Sequence, residues 1–201
     1  MRADVCAAPP EDAIHLAPLI ETVLTTVDGA GAINCAAMGV RWGERELVFW
    51  PFERTRTLRN LRRHGEGVVH LTDDMLLFAQ AALGDPHPPM RPARAVAGWI
   101  IEQAYAWREV AVRSITPADG GRFEVRAEIV AAGRSETLPL GLCRARHAVL
   151  EASILASRLR LIGSQRVREE LARLQELVDK TGGERERAAM DYVRDYVARR
   201  A

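Results

Sequence analysis

Residues 54–57, Arg-Thr-Arg-Thr, place two cations and two hydroxyls directly before a helix-forming segment. A helix start carries partial positive charge and unpaired N–H groups, so arginines there are unfavourable unless a negative group lies between them. Guanidinium forks, hydroxyls and N-terminal N–H groups together can bind a phosphate, so the pattern indicates an anion site. The alternative is that Thr55 or Thr57 only caps the helix, with the arginines solvated or paired to Glu46 and Glu53.

The segment NCAAMG at residues 34–39 is poor in large side chains. Small side chains on both faces of a strand let a flat group approach the backbone, whose N–H and C=O groups can then bind the edge of a planar heterocycle. Thr25 and Thr26, on the strand predicted to pair with this one, add hydroxyls nearby. Tight packing against a neighbouring strand or subunit is the alternative. The small-residue strand contains Asn34, Cys35, Ala36, Ala37 and Gly39.

Other residues capable of chemistry form weaker patterns. The histidines lack metal-ligand spacing such as HxxxH or HExxH, so no metal site is predicted. They are His15, His64, His70, His87 and His147. His70 falls in a predicted strand, where a core or rim position is favoured over a role as a base. The pair Asp73-Asp74 is better explained by Asp74 capping the next helix, and neither a nucleophile elbow nor a dinucleotide-binding βαβ unit is present.

Composition is that of an ordinary globular protein. The chain has 201 residues, of which 48% are apolar and 27% charged, and a net charge of +1 argues against a general nucleic-acid binder. Cys6, Cys35 and Cys143 are odd in number and widely spaced, which indicates neither a disulfide framework nor a zinc site. The start does not resemble a signal peptide, and no apolar run is long enough for a membrane span. We therefore expect a cytoplasmic protein with neither membrane nor nucleic-acid partners.

The elements that must position these residues are mostly strands. A hairpin is predicted from residues 19–27, a turn at Asp28-Gly29 and a second strand from Ala32 to Arg41. RELVFWP and EGVVHLTD form the third and fourth strands, separated by a short helix that ends at Gly65. A second short helix, DDMLLFAQAALG, is followed by a Pro-rich loop at residues 84–98, which is typical of a lid, a rim or a mobile segment. GWIIEQAYAWREVAVRSITPA and GRFEVRAEIVAAG complete the strands, and the latter alternates between dry and wet positions.

After Leu142 the pattern becomes helical. Its apolar stripes are Val167, Leu171, Leu174 and Val178 in one helix and Met190, Val193 and Val197 in the last. The fold class predicted is mainly β with α: an antiparallel barrel of about six strands with two short inserted helices, followed by a C-terminal helical cap. The domains predicted are residues 1–142 for the barrel and 143–201 for the helices.

Four segments together resemble a known group. They are IETVLTTVDGAGAINCAAMGV, PFERTRTLRNLRRHGEGVVHLTDDMLLFAQAAL, RARHAVLEASILASRLRLI and KTGGERERAAMDYV, which cover most of the chain. The sequence is similar to the FMN-binding split-barrel superfamily of flavin reductases and pyridoxamine-phosphate oxidases, and more specifically to the archaeal-type family called domain of unknown function 447. The resemblance implies a Greek-key-like split barrel, a homodimer and FMN near the subunit interface.

The resemblance also implies roles for individual residues. The phosphate is expected at Arg54, Thr55 and Thr57, with Asn60 as a further candidate. The isoalloxazine ring is expected along Thr25, Thr26, Asn34, Cys35 and Ala36. Relatives tend to carry Asn where this chain has His70, a further cofactor-binding candidate, and also where it has Cys143, so flavin affinity or substrate choice is expected to differ.

The function that the resemblance implies is a flavin-dependent oxidoreductase of unassigned substrate, with NAD(P)H as a candidate electron donor. One alternative is a non-catalytic flavin carrier or FMN-regulated interaction module whose helical tail binds a partner. Another is an accessory protein in an archaeal-type one-carbon or pterin pathway. Reduction by NAD(P)H with turnover of an acceptor would separate an enzyme from a carrier.

Overall fold

The structure is a computed structural model that describes residues 14, 17–136, 139 and 143–200. Its strands are β1 (Leu19–Val27), β2 (Ile33–Trp42), β3 (Glu46–Phe49), β4 (Glu66–Leu71), β5 (Met90–Pro92), β6 (Trp99–Ile101), β7 (Ala106–Ala118) and β8 (Arg122–Arg134). Its helices are α1 (Arg56–His64), α2 (Met75–Leu83), α3 (Arg144–Ser157), α4 (Leu159–Ile162), α5 (Ser164–Thr181) and α6 (Glu184–Ala198). The expectations for Cys6, His15 and the N-terminal stretch lie outside the described residues.

Six antiparallel strands close into a barrel in the order β1-β2-β3-β8-β7-β4. The predicted hairpin is confirmed: Thr25 pairs with Cys35 and Thr26 with Asn34 across β1 and β2. Its turn is held by Asp28, whose Oδ1 accepts hydrogen bonds from the N–H groups of Ala30 and Ala32, both at 2.9 Å. These bonds lower the pKa of the Asp28 carboxyl.

The barrel interior is filled by the dry faces of its strands and by one helix. The alternation predicted for β8 is confirmed, because Val125 and Ala127 are fully buried. Leu58 and Leu61 of helix α1 pack in the same hydrophobic cluster as Val125 and Ala127. The helix therefore covers the barrel with its apolar side, while its first turn stays at the edge of β2.

The Pro-rich segment differs from the prediction, since it contains β5, which pairs with β6 as a small hairpin. Three residues are too few for alternation to show in a sequence. The hairpin is held instead from outside, by the buried Glu109 of β7, whose Oε2 accepts hydrogen bonds from the N–H groups of Arg94 and Ala95. With β5 and β6 the described residues contain eight strands rather than about six.

The helices form a second core beside the barrel. The predicted stripe of α5 is confirmed, with Val167, Leu171 and Val178 buried and Leu174 partly buried in one cluster. The stripe of α6 is confirmed too, since all its members are buried. Helix α2 contributes Ala79 to this cluster although it lies between barrel strands in the chain. The division into domains 1–142 and 143–201 remains a proposal, and its boundary falls outside the described residues.

Candidate functional site

A cleft of about 540 Å³ lies where the barrel meets the helices. One wall is the small-residue part of β2, with Asn34, Ala36, Met38 and Gly39 among its lining residues. The first turn of α1, helix α2, the end of α3 and helix α4 supply further lining residues. The predicted anion site and the predicted planar-ligand strand therefore face one common cavity.

Thr55 is the residue that caps α1. Its Oγ1 accepts a hydrogen bond from the N–H of Leu58 at 3.3 Å and donates one to the carbonyl of Phe52 at 2.8 Å. Gly65 ends the helix in the left-handed conformation. Because the first N–H groups of a helix have no acceptor within it, those of Arg56 and Thr57 remain available to a ligand at the cleft.

A buried cluster of amides and hydroxyls supports this end of the cleft. Nδ2 of Asn34 donates to Oγ1 of Thr26 at 3.2 Å and to Oγ1 of Thr57 at 3.1 Å. Nδ2 of Asn60 donates to the same Thr26 oxygen at 3.0 Å. Since a hydroxyl that accepts still carries its own proton, Thr57 can donate toward the cleft that it lines.

An acid that the sequence analysis did not single out lies opposite these donors. Oδ1 of Asp85 accepts a hydrogen bond from the N–H of Cys35 at 2.9 Å, and Oδ2 pairs with the guanidinium of Arg56. Burial, and secondarily the charge of Asp85, raise the pKa of the Cys35 thiol to about 12, so the thiol is protonated at neutral pH. Cys35 therefore offers the cleft no nucleophile, and its N–H holds Asp85.

The far end of the cleft holds a second ionisable group, Glu21 on β1. It lies opposite Gly39 on β2, where the missing side chain leaves room for the carboxylate. Burial raises the pKa of Glu21, the nearby Arg158 opposes the shift and Glu151 adds to it. Asn34 and Gly39 are five positions apart on β2, about 16 Å at the usual rise of a strand. The cleft thus has Arg56, Asp85 and the Thr57 hydroxyl near one end of this strand and Glu21 with Arg158 near the other.

Six predicted site residues do not line the cleft. Thr26, Cys35 and Asn60 are buried behind its wall, and Oγ1 of Thr25 donates to the carbonyl of Trp99 at 2.6 Å. His70 is fully buried, with Nδ1 at 3.0 Å from the carbonyl of Val23 and Nε2 at 3.1 Å from the N–H of Ile101.

Arg54 is exposed and absent from the residues that line the cleft, whereas its neighbour Arg56 lines it. Cys143 precedes α3 without capping it through its side chain. Of the ten predicted cofactor-binding residues, Asn34, Ala36, Thr55 and Thr57 line the cleft.

The residues missed by the sequence analysis come from distant parts of the chain. Arg122 lies at the start of β8, and its guanidinium is 4.6 Å from the ring centroid of Phe52, also in the cleft wall. Arg158 and Leu161 come from the helical tail. No local pattern marks these positions, because only packing of the tail against the barrel brings them to β2. The one available signal was the Pro-rich loop at residues 84–98, which was expected to be a lid, a rim or a mobile segment and which contains Asp85.

The closed antiparallel barrel with a helical layer defines the fold class, a split barrel, which solved structures share. Residues 20–136 match the family described as "Protein of unknown function (DUF447) N-terminal domain", and residues 143–195 match "Protein of unknown function (DUF447)". The chain belongs to this family.

Solved structures with the same fold include an FMN-bound protein of this family from Methanosarcina mazei, with a TM-score of 0.79 and 22% identity over 90% of this chain and 95% of that one. Nitrilotriacetate monooxygenase component B from Mycobacterium thermoresistibile has a TM-score of 0.52 and 19% identity over 60% of this chain and 72% of its own. The styrene monooxygenase flavin reductase from Pseudomonas putida S12 has a TM-score of 0.50 and 16% identity, over 66% of this chain and 89% of its own.

In the part of the chain that the structure describes, no helix combines the length and apolar character needed to cross a membrane.

Proposed function

We propose that this protein binds FMN in the cleft and acts as a flavin-dependent oxidoreductase. The observation that carries the proposal is the cleft itself, which joins an anion-binding helix start to a strand of small residues. Its volume of about 540 Å³ lies within the range of roughly 300–1,000 Å³ that is common for small-molecule sites. The FMN bound to the Methanosarcina mazei protein supports the same assignment.

The residues present fit FMN at the phosphate end. Arg56 supplies a guanidinium, Thr57 a hydroxyl proton, and the first turn of α1 two N–H groups, all at one end of the cleft. Arg122 adds a cation to the same cleft. These hydrogen-bond donors and cations are more than an uncharged flavin needs at this end. Their number favours FMN, which carries a phosphate, over riboflavin.

The wall beyond the phosphate end fits a flat ring. Ala36 and Gly39 let a ring system lie close to the backbone of β2, and Phe78 of α2 gives an apolar surface below. Bound flavin would supply hydride transfer, while the protein binds, orients and shields it. Glu21 lies at the far end, and burial raises the pKa of its carboxyl, so it is a candidate to hold or release a proton there.

A second copy of this chain completes the site in our proposal. Leu19, Phe52 and Leu161 are 51%, 43% and 79% exposed, and all three lie around the cleft. Large apolar side chains gathered at one cavity indicate a surface that is covered in the working molecule. We place this dimer in a reducing cytoplasm, which the free thiols of Cys35 and Cys143 support.

A non-catalytic flavin carrier is the second candidate, and the state of two predicted site residues favours it. Cys35 has a protonated thiol, and burial lowers the pKa of His70 to about 4, so neither can act as a nucleophile or a base in the cleft. Turnover of an acceptor with NADH or NADPH, measured on the FMN-loaded protein, distinguishes the candidates. Flavin that is bound but not reduced by either nucleotide would favour the carrier.

The FMN assignment is tested by titration. We expect binding to quench the fluorescence of FMN and to raise the melting temperature of the protein, at about one FMN per chain. Riboflavin should bind at least tenfold more weakly, because it lacks about one charge-assisted contact. Equal affinity for the two flavins, or no binding of either, would contradict it.

A further inference from the structure

The Asp85 carboxylate occupies a position in the cleft where a ligand anion would find its partners. Its two oxygens use two different donors: Oδ1 takes the N–H of Cys35 on β2, and Oδ2 takes the guanidinium of Arg56 at the start of α1. An incoming anion that binds Arg56 must share this guanidinium with Asp85 or replace it. Asp85 therefore competes with a ligand anion for the guanidinium of Arg56.

The pair is accessible enough to exchange. The Arg56 side chain is 41% exposed and that of Asp85 28%, and both line the cleft. Ion pairs of this exposure contribute little to stability, since water and salt screen them. The backbone at Asp85 is also not part of a helix or strand, because α2 ends at Leu83 and β5 begins at Met90. The contact can thus be given up without opening the core.

We propose that Asp85 is an internal anion that holds Arg56 when no ligand is bound and is displaced by the phosphate of the ligand, so that it sets the threshold that an anion must exceed to bind in the cleft. This inference rests on the proposed function. A phosphate dianion competes better for a guanidinium and helix N–H groups than one carboxylate does. An uncharged flavin gains nothing by displacing Asp85, and a weak anion gains too little. The carboxylate raises the threshold for binding instead of adding a contact.

Asp85 also connects the cleft to a second cavity. A cavity of about 340 Å³ with largely polar walls, among them Gln80, Gln103 and Tyr192, has Asp85 in its lining as well. Displacement of Asp85 from Arg56 therefore changes the shared wall between the two cavities.

The test is Asp85→Asn, which keeps the size of the side chain and the acceptor for the Cys35 N–H but removes the charge that competes for Arg56. The matched control is Glu53→Gln, an exposed acid beside α1 that does not line the cleft. Binding of FMN, riboflavin and inorganic phosphate is measured for the wild type and both variants by fluorescence titration or thermal shift. Melting without ligand is measured first, and Asp85→Ser replaces Asp85→Asn if the latter does not fold.

We expect Asp85→Asn to bind FMN about tenfold more tightly, equivalent to about one competing charge-assisted contact, and riboflavin with unchanged affinity. Glu53→Gln should leave the ratio of the two affinities unchanged. An unchanged ratio in Asp85→Asn overturns the proposal, and so does a loss of affinity for both flavins, which would make Asp85 a direct ligand. If the wild type binds no flavin, the proposed function fails, while a larger thermal shift of Asp85→Asn by inorganic phosphate would still support the internal anion.

Discussion

Nδ2 of Asn34 lies 3.1 Å from Oγ1 of Thr57, which joins strand β2 to the first turn of helix α1 within the wall of the cleft. Both side chains are buried, at 6% and 2% exposure, so the bond is shielded from water. The small-residue strand and the Arg/Thr helix start are thus parts of one structure. A substitution at either residue should affect both the fold and the ligand.

Thr57→Ala should separate the two roles of this hydroxyl. Loss of the acceptor leaves one donor of buried Asn34 without its partner, which should lower the free energy of unfolding by about 1–2 kcal/mol. Loss of the donor should weaken FMN binding about tenfold and leave riboflavin unaffected. Denaturant unfolding and titration with both flavins measure these effects. Thr57→Ser keeps the hydroxyl and should restore the FMN preference, so a serine variant that behaves like alanine would contradict the assignment.

Arg56 and Arg54 should differ in their contribution to FMN affinity. Arg56→Gln removes a guanidinium that lines the cleft and should weaken FMN binding about tenfold or more. Arg54→Gln removes an exposed cation of the same charge, one that does not line the cleft, and serves as the matched control with a change below about twofold, because exposed charges are screened. The sequence analysis chose Arg54, so a greater effect at Arg54 would restore that hypothesis.

The fold could largely be predicted because its determinants are local. The β1–β2 hairpin follows from its turn residues, and α1 is bounded by a threonine and a glycine that act within a few residues of themselves. The apolar stripes of α5 and α6 are periodic over several turns. The β5–β6 hairpin was missed because each of its strands has three residues and because Glu109, a residue outside it, holds its loop. The local sequence does not show a contact made by another element.

The site could be predicted in part for the same reason. Asn34 and Thr57 belong to local motifs, whereas Asp85, Arg122 and Arg158 reach the cleft only through tertiary packing. Arg54 and Arg56 are indistinguishable by type and spacing. Which of them turns into the cleft depends on how the first turn of α1 sits against β2, and that orientation is set by the buried cluster around Asn34.

The dimer is tested at the apolar rim of the cleft. Leu161→Asp places a charge at a side chain that is 79% exposed in the single chain and would be buried in the proposed dimer. We expect the wild type with FMN to give a dimer mass by light scattering at micromolar concentration and the variant a monomer mass. Val130→Asp is the control, since Val130 is also exposed but does not line the cleft. A monomer mass for the wild type would contradict the dimer. A monomer mass for Val130→Asp but not for Leu161→Asp would mean that the interface does not lie at the rim of the cleft.

His70 should make the protein less stable as the pH falls below 6.5. Its Nε2 accepts the N–H of Ile101, so Nδ1 carries the proton and donates it to the carbonyl of Val23. A second proton on Nε2 would break the bond to Ile101 and place a charge in the core. Burial accordingly lowers the pKa of His70 to about 4, from 6.5.

Between these two pKa values the unfolded chain binds a proton at His70 and the folded chain does not. The folded state is therefore fully stabilised above pH 6.5 and loses about 1.4 kcal/mol per pH unit as the pH falls toward 4. Between pH 7.5 and pH 5, denaturant unfolding of the flavin-free protein should show a loss about 2 kcal/mol greater in the wild type than in His70→Asn, which does not titrate. His147→Asn, which replaces an exposed histidine, should retain the wild-type pH dependence. If His70→Asn shows the same loss as the wild type, the imidazole is not held neutral in the folded protein, and the hydrogen bonds to Val23 and Ile101 do not fix its tautomer.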